Sequence, residues 1–328
     1  MNDYATLRGL AVGDALGARF ERIDGTRSLE LADWRGELLG GGDPRIWPKG
    51  RPAGGTTDDT AFALALAGSL IESRGYDRLH AAASYVKLLD EEPPGGLGPT
   101  LRTAIERLKA GASPDDSGVV IPDTAPYCGS GTAMRIAPLG LYSARSHGHR
   151  PVIEGAEFVF CYEDAMRDAT ITHQSREAMA GSLVVAIGTR ALVYHGFDKA
   201  RHAIRSALQI AGLEDTRVRR ALTGEIAADC SGDVANLVGL AWQDLTLASL
   251  DVRPWCNRAE VFRRAMLRTI ARGGDTDTRA AVLGAWLGTW LGADAIPPEW
   301  AAGVQGWKTL EAYDRALSER DRFLPKVP

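Results

Sequence analysis

The stretch GGTTDDTAFALALAG, Gly54–Gly68, places two adjacent acids, Asp58 and Asp59, at the mouth of an apolar helix. The pattern returns in GGDTDTRAAVLGAWLG, Gly273–Gly288, where Asp275 and Asp277 alternate with Thr276 and Thr278 before another apolar run. One capping side chain at a helix start is worth about 1 kcal/mol, and the helix dipole tolerates a further exposed acid in the first turn. Two acids entering a core helix need more. A helix apolar on every face is central rather than superficial, and ionised carboxylates buried without partners are prohibitively unfavourable. If the two helices begin side by side, their acids and threonines converge into an all-oxygen cage. Such a cage suits a hard divalent cation, Mg²⁺ or Mn²⁺, and has room for two. Zinc would want His or Cys, which neither stretch supplies, and neither stretch has the spaced acids and closing Glu of an EF-hand. We therefore expect a metal site at the N-termini of two central helices, rather than two separate caps.

Working outward, helical stretches recur and strand signals are nearly absent. Helices are expected at about Asp3–Ala18, Thr60–Ser73, Asp77–Asp90, Pro99–Ala110, Ala133–Ser143 and Gly155–Met166. Further ones are expected at about Ser175–Tyr194, Lys199–Ile210, Thr216–Ala228, Val234–Ser249, Arg258–Arg272, Thr278–Leu291 and Ala302–Ser318. The strand-like SGVVIPDT, Ser117–Thr124, is short and broken by Pro. The expected class is all-α, one compact domain of many packed helices over residues 1–328, without a Ser/Gly linker or a periodic repeat. Gly9, Gly13 and Gly17, and again Gly284, Gly288 and Gly292, recur every fourth residue, giving each helix a flat face for close packing. The Gly- and Pro-rich segment LLGGGDPRIWPKGRPAGG, Leu38–Gly55, precedes the first acid pair and reads as a lid.

Hydrophobic residues make up 45% and charged residues 24% of the 328, an ordinary globular balance. The net charge of −4 and the scattered arginines favour neither a nucleic-acid backbone nor an anionic membrane. No apolar run is long enough to span a bilayer, and MNDYATLRGLAVGD has no secretory pattern. Cys128, Cys161, Cys230 and Cys256 form no CxxC and no zinc spacing, so they read as structural thiols in a reducing cytosol. The expected location is cytoplasmic.

Two further elements carry weaker signals. CGSGTAMRIAPLGL, Cys128–Leu141, is a Gly-rich turn before a helix, a place where backbone N–H groups bind phosphate. It lacks the third glycine and the preceding strand of a dinucleotide fingerprint, so a plain tight turn stands beside the phosphate reading. TITHQSREAMAGS, Thr170–Ser182, puts His173 just ahead of a helix capped by Ser175. Alone, such a histidine decides nothing.

In order, GLAVGDALGARFE (Gly9–Glu21), GGTTDDT (Gly54–Thr60), GSGTAMRIAPLG (Gly129–Gly140), THQSREAMAG (Thr172–Gly181) and GGDTDTRAAVLGAWLG resemble the ADP-ribosylglycohydrolases. The resemblance runs from about Leu7 to Leu291. It implies an all-α fold, a dinuclear Mg²⁺ or Mn²⁺ site, and hydrolysis of the bond between the distal ribose of ADP-ribose and an acceptor, usually a protein side chain. It implies Thr57, Asp58, Asp59, Asp275, Asp277 and Thr278 as metal ligands. It implies Glu21 as a gate or acid–base group, and Asp58, Asp59 and Asp275 beside it in catalysis. Gly129, Ser130, Gly131, Thr132, Met134 and Arg135 would cradle the pyrophosphate, and His173 would touch the adenosine side. The partners implied are an ADP-ribosylated protein and ADP-ribose as product.

Three positions depart from the family pattern. Some arginine-specific members carry an Asp where this chain has Gly96, Ser130 replaces the usual Asn, and the bulky Arg279 follows GDTDT. Arg279 would bind phosphate, trim the metal's charge, or point away and pair with an acid. The readings carried forward are a metal-dependent hydrolase of ADP-ribosylated protein, a non-catalytic ADP-ribose-binding module, and a hydrolase of a small ADP-ribosyl ester or of ADP-ribosylated nucleic acid.

Overall fold

The glycine-striped helices meet each other. In the computed structural model, which describes residues 3–21, 34–42, 50–91, 93–146 and 158–319, helix α1 (Thr6–Gly17) runs antiparallel against helix α11 (Thr276–Leu291). A methyl group on Gly9 would collide with the carbonyl of Gly284, and one on Gly13 with that of Ala280. The two backbones are in contact, which only this spacing of small residues allows. The Ala5 N–H even reaches across to the Gly288 carbonyl at 3.1 Å. The antiparallel arrangement brings the C-terminal end of α1 to the N-terminal end of α11, where Thr276 donates to the Gly17 carbonyl at 2.7 Å.

Around this pair stand α2 (Asp58–Ser73), α3 (Arg78–Glu91), α4 (Pro99–Lys109), α5 (Ala137–Ser146), α6 (Phe158–Thr172) and α7 (Arg176–Ile210). They are followed by α8 (Arg217–Leu222), α9 (Val234–Asp251) and α10 (Arg258–Ala271), with α12 (Pro298–Gly303) and α13 (Trp307–Ser318) after α11. The protein is all-α, as the sequence implies. The described strands, β1 (Val119–Val120) and β2 (His173–Gln174), form one short parallel pair. Its consequence is local: it pins the Ser117–Ile121 segment beside His173.

The second acid-headed helix, α11, is central, whereas α2 buries one side and leaves Ala61, Leu64, Ala65 and Ile71 half-buried, short of the central position expected of it. Ala280, Leu283 and Trp286 are fully enclosed, so the all-round apolarity of α11 is explained by burial, while in α2 Phe62 and Leu66 are enclosed and the other side packs partly covered. Among the described residues only α7 is long and apolar enough to cross a membrane, and most of that window is packed inside the protein. Gly196, at φ 68°, breaks α7 internally, which reconciles it with the two helices expected there. Elsewhere the differences are at the ends. α5 starts at Ala137, because the Gly-rich turn occupies the preceding residues. α8 stops at Leu222, ahead of Gly224 at φ 74°. The Gly155 start expected for α6 lies outside the described residues.

Candidate active site

The ends of α1, α2 and α11 meet at one point, and acids from all three collect there. Asp14, on α1, is fully buried and accepts from the Thr57 N–H at 3.0 Å, the Thr60 N–H at 3.2 Å and the Thr60 hydroxyl at 2.5 Å. One helix thus caps the next from outside. Thr57, the local N-cap, accepts from the Asp59 N–H at 3.3 Å and donates its hydroxyl to Asp59 Oδ2 at 3.0 Å. Thr278 of α11 donates to the same Oδ2 at 3.3 Å, and this bond ties the two acid clusters together. The other oxygen, Asp59 Oδ1, is buried and has no hydrogen-bond partner.

Asp58 and Asp277 are buried beside Asp59, Asp275 is half-exposed, and Glu21 reaches the group from just beyond α1. Burial holds the Asp58, Asp59 and Asp277 carboxyls well above the ordinary range, and repulsion from neighbouring acids adds to it. Asp14 and Glu21 act on Asp58, and Glu21 and Asp275 act on Asp277. Burial also raises Asp14, while its bonds to Thr60 and Thr57 and the charge of Arg51 pull it back. Arg51 is a cation whose charge reaches Asp14 and Asp277, yet it donates to the carbonyls of Leu39 (2.9 Å), Ala15 (3.4 Å) and Gly55 rather than to a carboxylate.

Among the described residues, no three His, Cys, Asp or Glu side chains stand arranged to hold a metal as they are. Threonine oxygens ligate hard cations as carboxylates do, so the donor chemistry is the better guide. It consists of hard oxygens only, in anionic surroundings, with one buried carboxylate oxygen lacking any partner. Thr57, Asp58, Asp59, Asp275, Asp277 and Thr278 therefore fit a hard divalent cation. Arg279 does not belong to this set. Its fully buried guanidinium points away, donating to the carbonyls of Thr269 (2.8 Å) and Gly273 (2.7 Å), and so braces the turn that presents Asp275.

Two approaches to the acids carry no motif. Gly96, at φ 94°, sits so close that a Cβ there would lie 2.6 Å from Asp58 Oδ1. A Cβ on Gly232 would lie 2.6 Å from Asp275 Oδ2. The segment around Gly232 is a strap. The Cys230 carbonyl accepts from the Asp275 N–H at 2.9 Å. Asp233 accepts from the Cys128 N–H at 2.9 Å, and the Val234 N–H donates to the Cys128 carbonyl at 2.8 Å. The strap therefore fastens the acid cluster to the Gly-rich turn.

On that turn, Gly129, Ser130 and Gly131 are half-buried and partly accessible to solvent. Thr132, Met134 and Arg135 are not, because they are enclosed behind it. Thr132 donates to the Ala178 carbonyl at 3.2 Å, and Arg135 forms a fully buried ion pair with Asp168 at 2.9 Å. Gly129–Gly131 form the front of the turn, and Thr132, Met134 and Arg135 support it from behind. His173 lies against it, with Nε2 3.5 Å from where a Gly129 Cβ would be. Burial, and next the charge of Arg135, push the imidazole down to about 3, so it is neutral. The two ends of the segment read as a lid meet through a Gly41 N–H to Arg51 carbonyl bond at 2.6 Å. Its residues 43–49 lie outside the described residues.

Comparison with known proteins agrees with this architecture. The sequence profile of the ADP-ribosylglycohydrolase family matches residues 4–324. The chain is 27% identical to ADP-ribosylhydrolase ARH3 of Gallus gallus over 95% of this chain and 91% of that protein. It is 26% identical to the ADP-ribosyl-[dinitrogen reductase] glycohydrolase of Rhodospirillum rubrum, over 89% and 86% of the two chains. A solved structure described as an ADP-ribosylglycohydrolase-related protein complex superposes with a TM-score of 0.71 at 29% identity, covering 96% of each chain.

Proposed function

The chain belongs to the ADP-ribosylglycohydrolase family, and on that premise we propose that it removes ADP-ribose from a protein side chain with two Mg²⁺ or Mn²⁺ ions bound at the acid cluster. The observation that carries the metal reading is the buried, partnerless Asp59 Oδ1 amid mutually repelling carboxylates. The observation that supports ADP-ribose is the strap joining this cluster to an open Gly-rich turn. Thr57, Asp58, Asp59, Asp275, Asp277 and Thr278 would hold the ions. Bound there, such ions orient sugar hydroxyls and polarise water.

The chain's own groups divide the remaining work. Backbone N–H groups of Gly129–Gly131 receive the pyrophosphate. His173 donates to the nucleotide from the side. Glu21, whose charge acts on both Asp58 and Asp277, moves the proton between attacking water and leaving group. Cleavage of a glycosidic bond passes through oxocarbenium-like charge, and the carboxylates stabilise that charge.

Amino-acid-linked and protein conjugates are favoured as substrate because two relatives are named for them. One is the dinitrogen reductase glycohydrolase, and the other is an ADP-ribosylarginine hydrolase, Tri1 of Pseudomonas putida, 27% identical over 97% of this chain and 80% of that protein. Gly96 marks a difference on the acceptor side: no side chain stands over Asp58 there, so any base for an arginine leaving group comes from elsewhere. The test is release of free ADP-ribose from arginine- and serine-modified peptides, with Mg²⁺, with Mn²⁺ and with EDTA. Metal-dependent release is expected. Calorimetric binding of ADP-ribose without release under any condition would select the binding-module reading instead.

A further inference from the structure

Arg135 belongs to a network enclosed behind the turn. Its Nε donates to Asp168 Oδ2 at 2.9 Å and its NH2 to the Asp168 carbonyl at 2.9 Å, and its NH1 is shared between the Gly131 carbonyl at 2.8 Å and Thr172 Oγ1 at 3.0 Å. Tyr85 donates to the other Asp168 oxygen at 2.7 Å, and the guanidinium lies 4.7 Å from the centre of the Tyr85 ring. All three side chains are fully buried. Each Arg135 nitrogen is committed to the protein, so the guanidinium has no route to a ligand.

The next link fixes a proton. Thr172 Oγ1 lies 2.9 Å from His173 Nδ1. Arginine only donates, so the Thr172 oxygen accepts from Arg135 and its own hydrogen needs an acceptor. Among the described residues the acceptor in reach is His173 Nδ1. Nδ1 is therefore unprotonated. A neutral imidazole then carries its hydrogen on Nε2, and Nε2 is the nitrogen that faces Gly129 and Gly131. There it has no protein partner among the described residues.

We infer that Arg135 acts through Thr172 as a positioning residue, holding His173 in its Nε2–H form so that it donates to an acceptor oxygen or nitrogen of a nucleotide lying on the Gly129–Gly131 turn. The same arginine anchors the turn through the Gly131 carbonyl, so donor and cradle are set in one frame. The inference rests on the reading of the turn as an ADP-ribose site, but the proton position belongs to the ligand-free protein and is measured there.

The experiment uses the full chain labelled with ¹⁵N-histidine, in which His173→Gln identifies one of six histidines. Long-range ¹H–¹⁵N spectra of the free protein should show His173 with a protonated Nε2 and a bare Nδ1. Thr172→Val keeps the shape and removes the relay. It should lose that tautomer preference and weaken ADP-ribose binding on the order of tenfold, while the Mg²⁺ response stays near wild type and melting falls by only a few degrees. Thr172→Ser should restore both tautomer and affinity. A protonated Nδ1 in the wild type would overturn the inference, and so would Thr172→Val with unchanged spectrum and affinity. A wild type that binds no ADP-ribose would sink the functional reading, leaving the proton position to be decided by the spectrum alone.

Discussion

Replacing Asp59 by Asn removes one charge from the acid cluster while keeping its shape, and the expected result runs against the usual rule that changing a buried polar residue destabilises. The amide oxygen still accepts the Thr57 and Thr278 hydroxyls that Oδ2 accepts now. What disappears is repulsion. Two like charges about 6 Å apart at an effective dielectric near 20 repel by ~3 kcal/mol, and even partial relief amounts to ~2 kcal/mol. For 328 residues the unfolding entropy is ~0.7 kcal/mol/K, so metal-free Asp59→Asn should melt ~3 °C above wild type. Metal reverses the order. At a hundredfold excess over Kd a bound ion adds ~2.7 kcal/mol, or ~4 °C, to the wild type and little to the variant. The pH dependence has a definite sign. Asp58, Asp59 and Asp277 have raised folded-state affinity for protons. Their contribution is therefore present below the unfolded carboxylate range and is lost as pH rises through the folded values. In EDTA the advantage of Asp59→Asn should widen from mildly acidic to neutral pH. Scanning calorimetry in EDTA and across a Mg²⁺ titration measures each of these. An Asp59→Asn protein that melts several degrees lower in EDTA, with the wild-type Mg²⁺ response intact, would reduce Asp59 to an ordinary first-turn acid and refute the cation site.

Three other outcomes are expected. Gly13→Ala drives a methyl into the Ala280 carbonyl of a packed backbone; it should cost ~3 kcal/mol or more by denaturant unfolding, against ~1 kcal/mol for Gly212→Ala, where φ is 65° but the space is open. Gly96→Ala puts a Cβ 2.6 Å from Asp58 Oδ1, and calorimetry should find Mn²⁺ affinity reduced on the order of tenfold, as displaced donors typically cause. His173 is held neutral down to about 3 against about 6.5 unfolded, so stability is lost as pH falls through that window; His173→Gln should flatten this part of the pH profile of the urea midpoint, and an unchanged slope would mean His173 is protonated in the fold.

The parts legible in the sequence are those where chemistry is local. The acid pairs at α2 and α11 stood out because charge at the mouth of an apolar helix conflicts with burial within a few residues of chain. The glycine stripes announced close packing, although nothing in either stripe says that α1 and α11 are each other's partner. Relations between distant segments stayed hidden. Asp14 looks like one polar residue in a glycine helix, yet its carboxylate completes the cap of α2, forty-odd residues on. Gly232 and Asp233 have no signature, because their value lies in touching Asp275 on one side and Cys128 on the other. GSGTAMR reads as a single ligand-binding string, but a turn has a front and a back. Which side Thr132, Met134 and Arg135 occupy is set by the helices behind them.

The same geometry explains why the fold accepts so much negative charge at one point. The N-termini of α2 and α11 both open onto the cluster, and each carries partial positive charge from its free N–H groups. Asp14 and Asp277 take up part of that through the Thr57, Thr60 and Thr278 N–H groups. The C-terminal end of α1 arrives at the same place with the opposite sign, and Arg51 spends its donors on carbonyls. The helix dipoles therefore cover one or two carboxylates, while Asp14, Glu21, Asp58, Asp59, Asp275 and Asp277 act on one another here. Without a cation the remaining charge favours proton uptake, the direction in which burial and mutual repulsion push the Asp58, Asp59 and Asp277 carboxyls. Entry of divalent ions would reverse it. Proton release on Mg²⁺ addition, read in a weakly buffered solution, should therefore accompany thermal stabilisation, and one without the other would mean that the acids and the ion occupy different places.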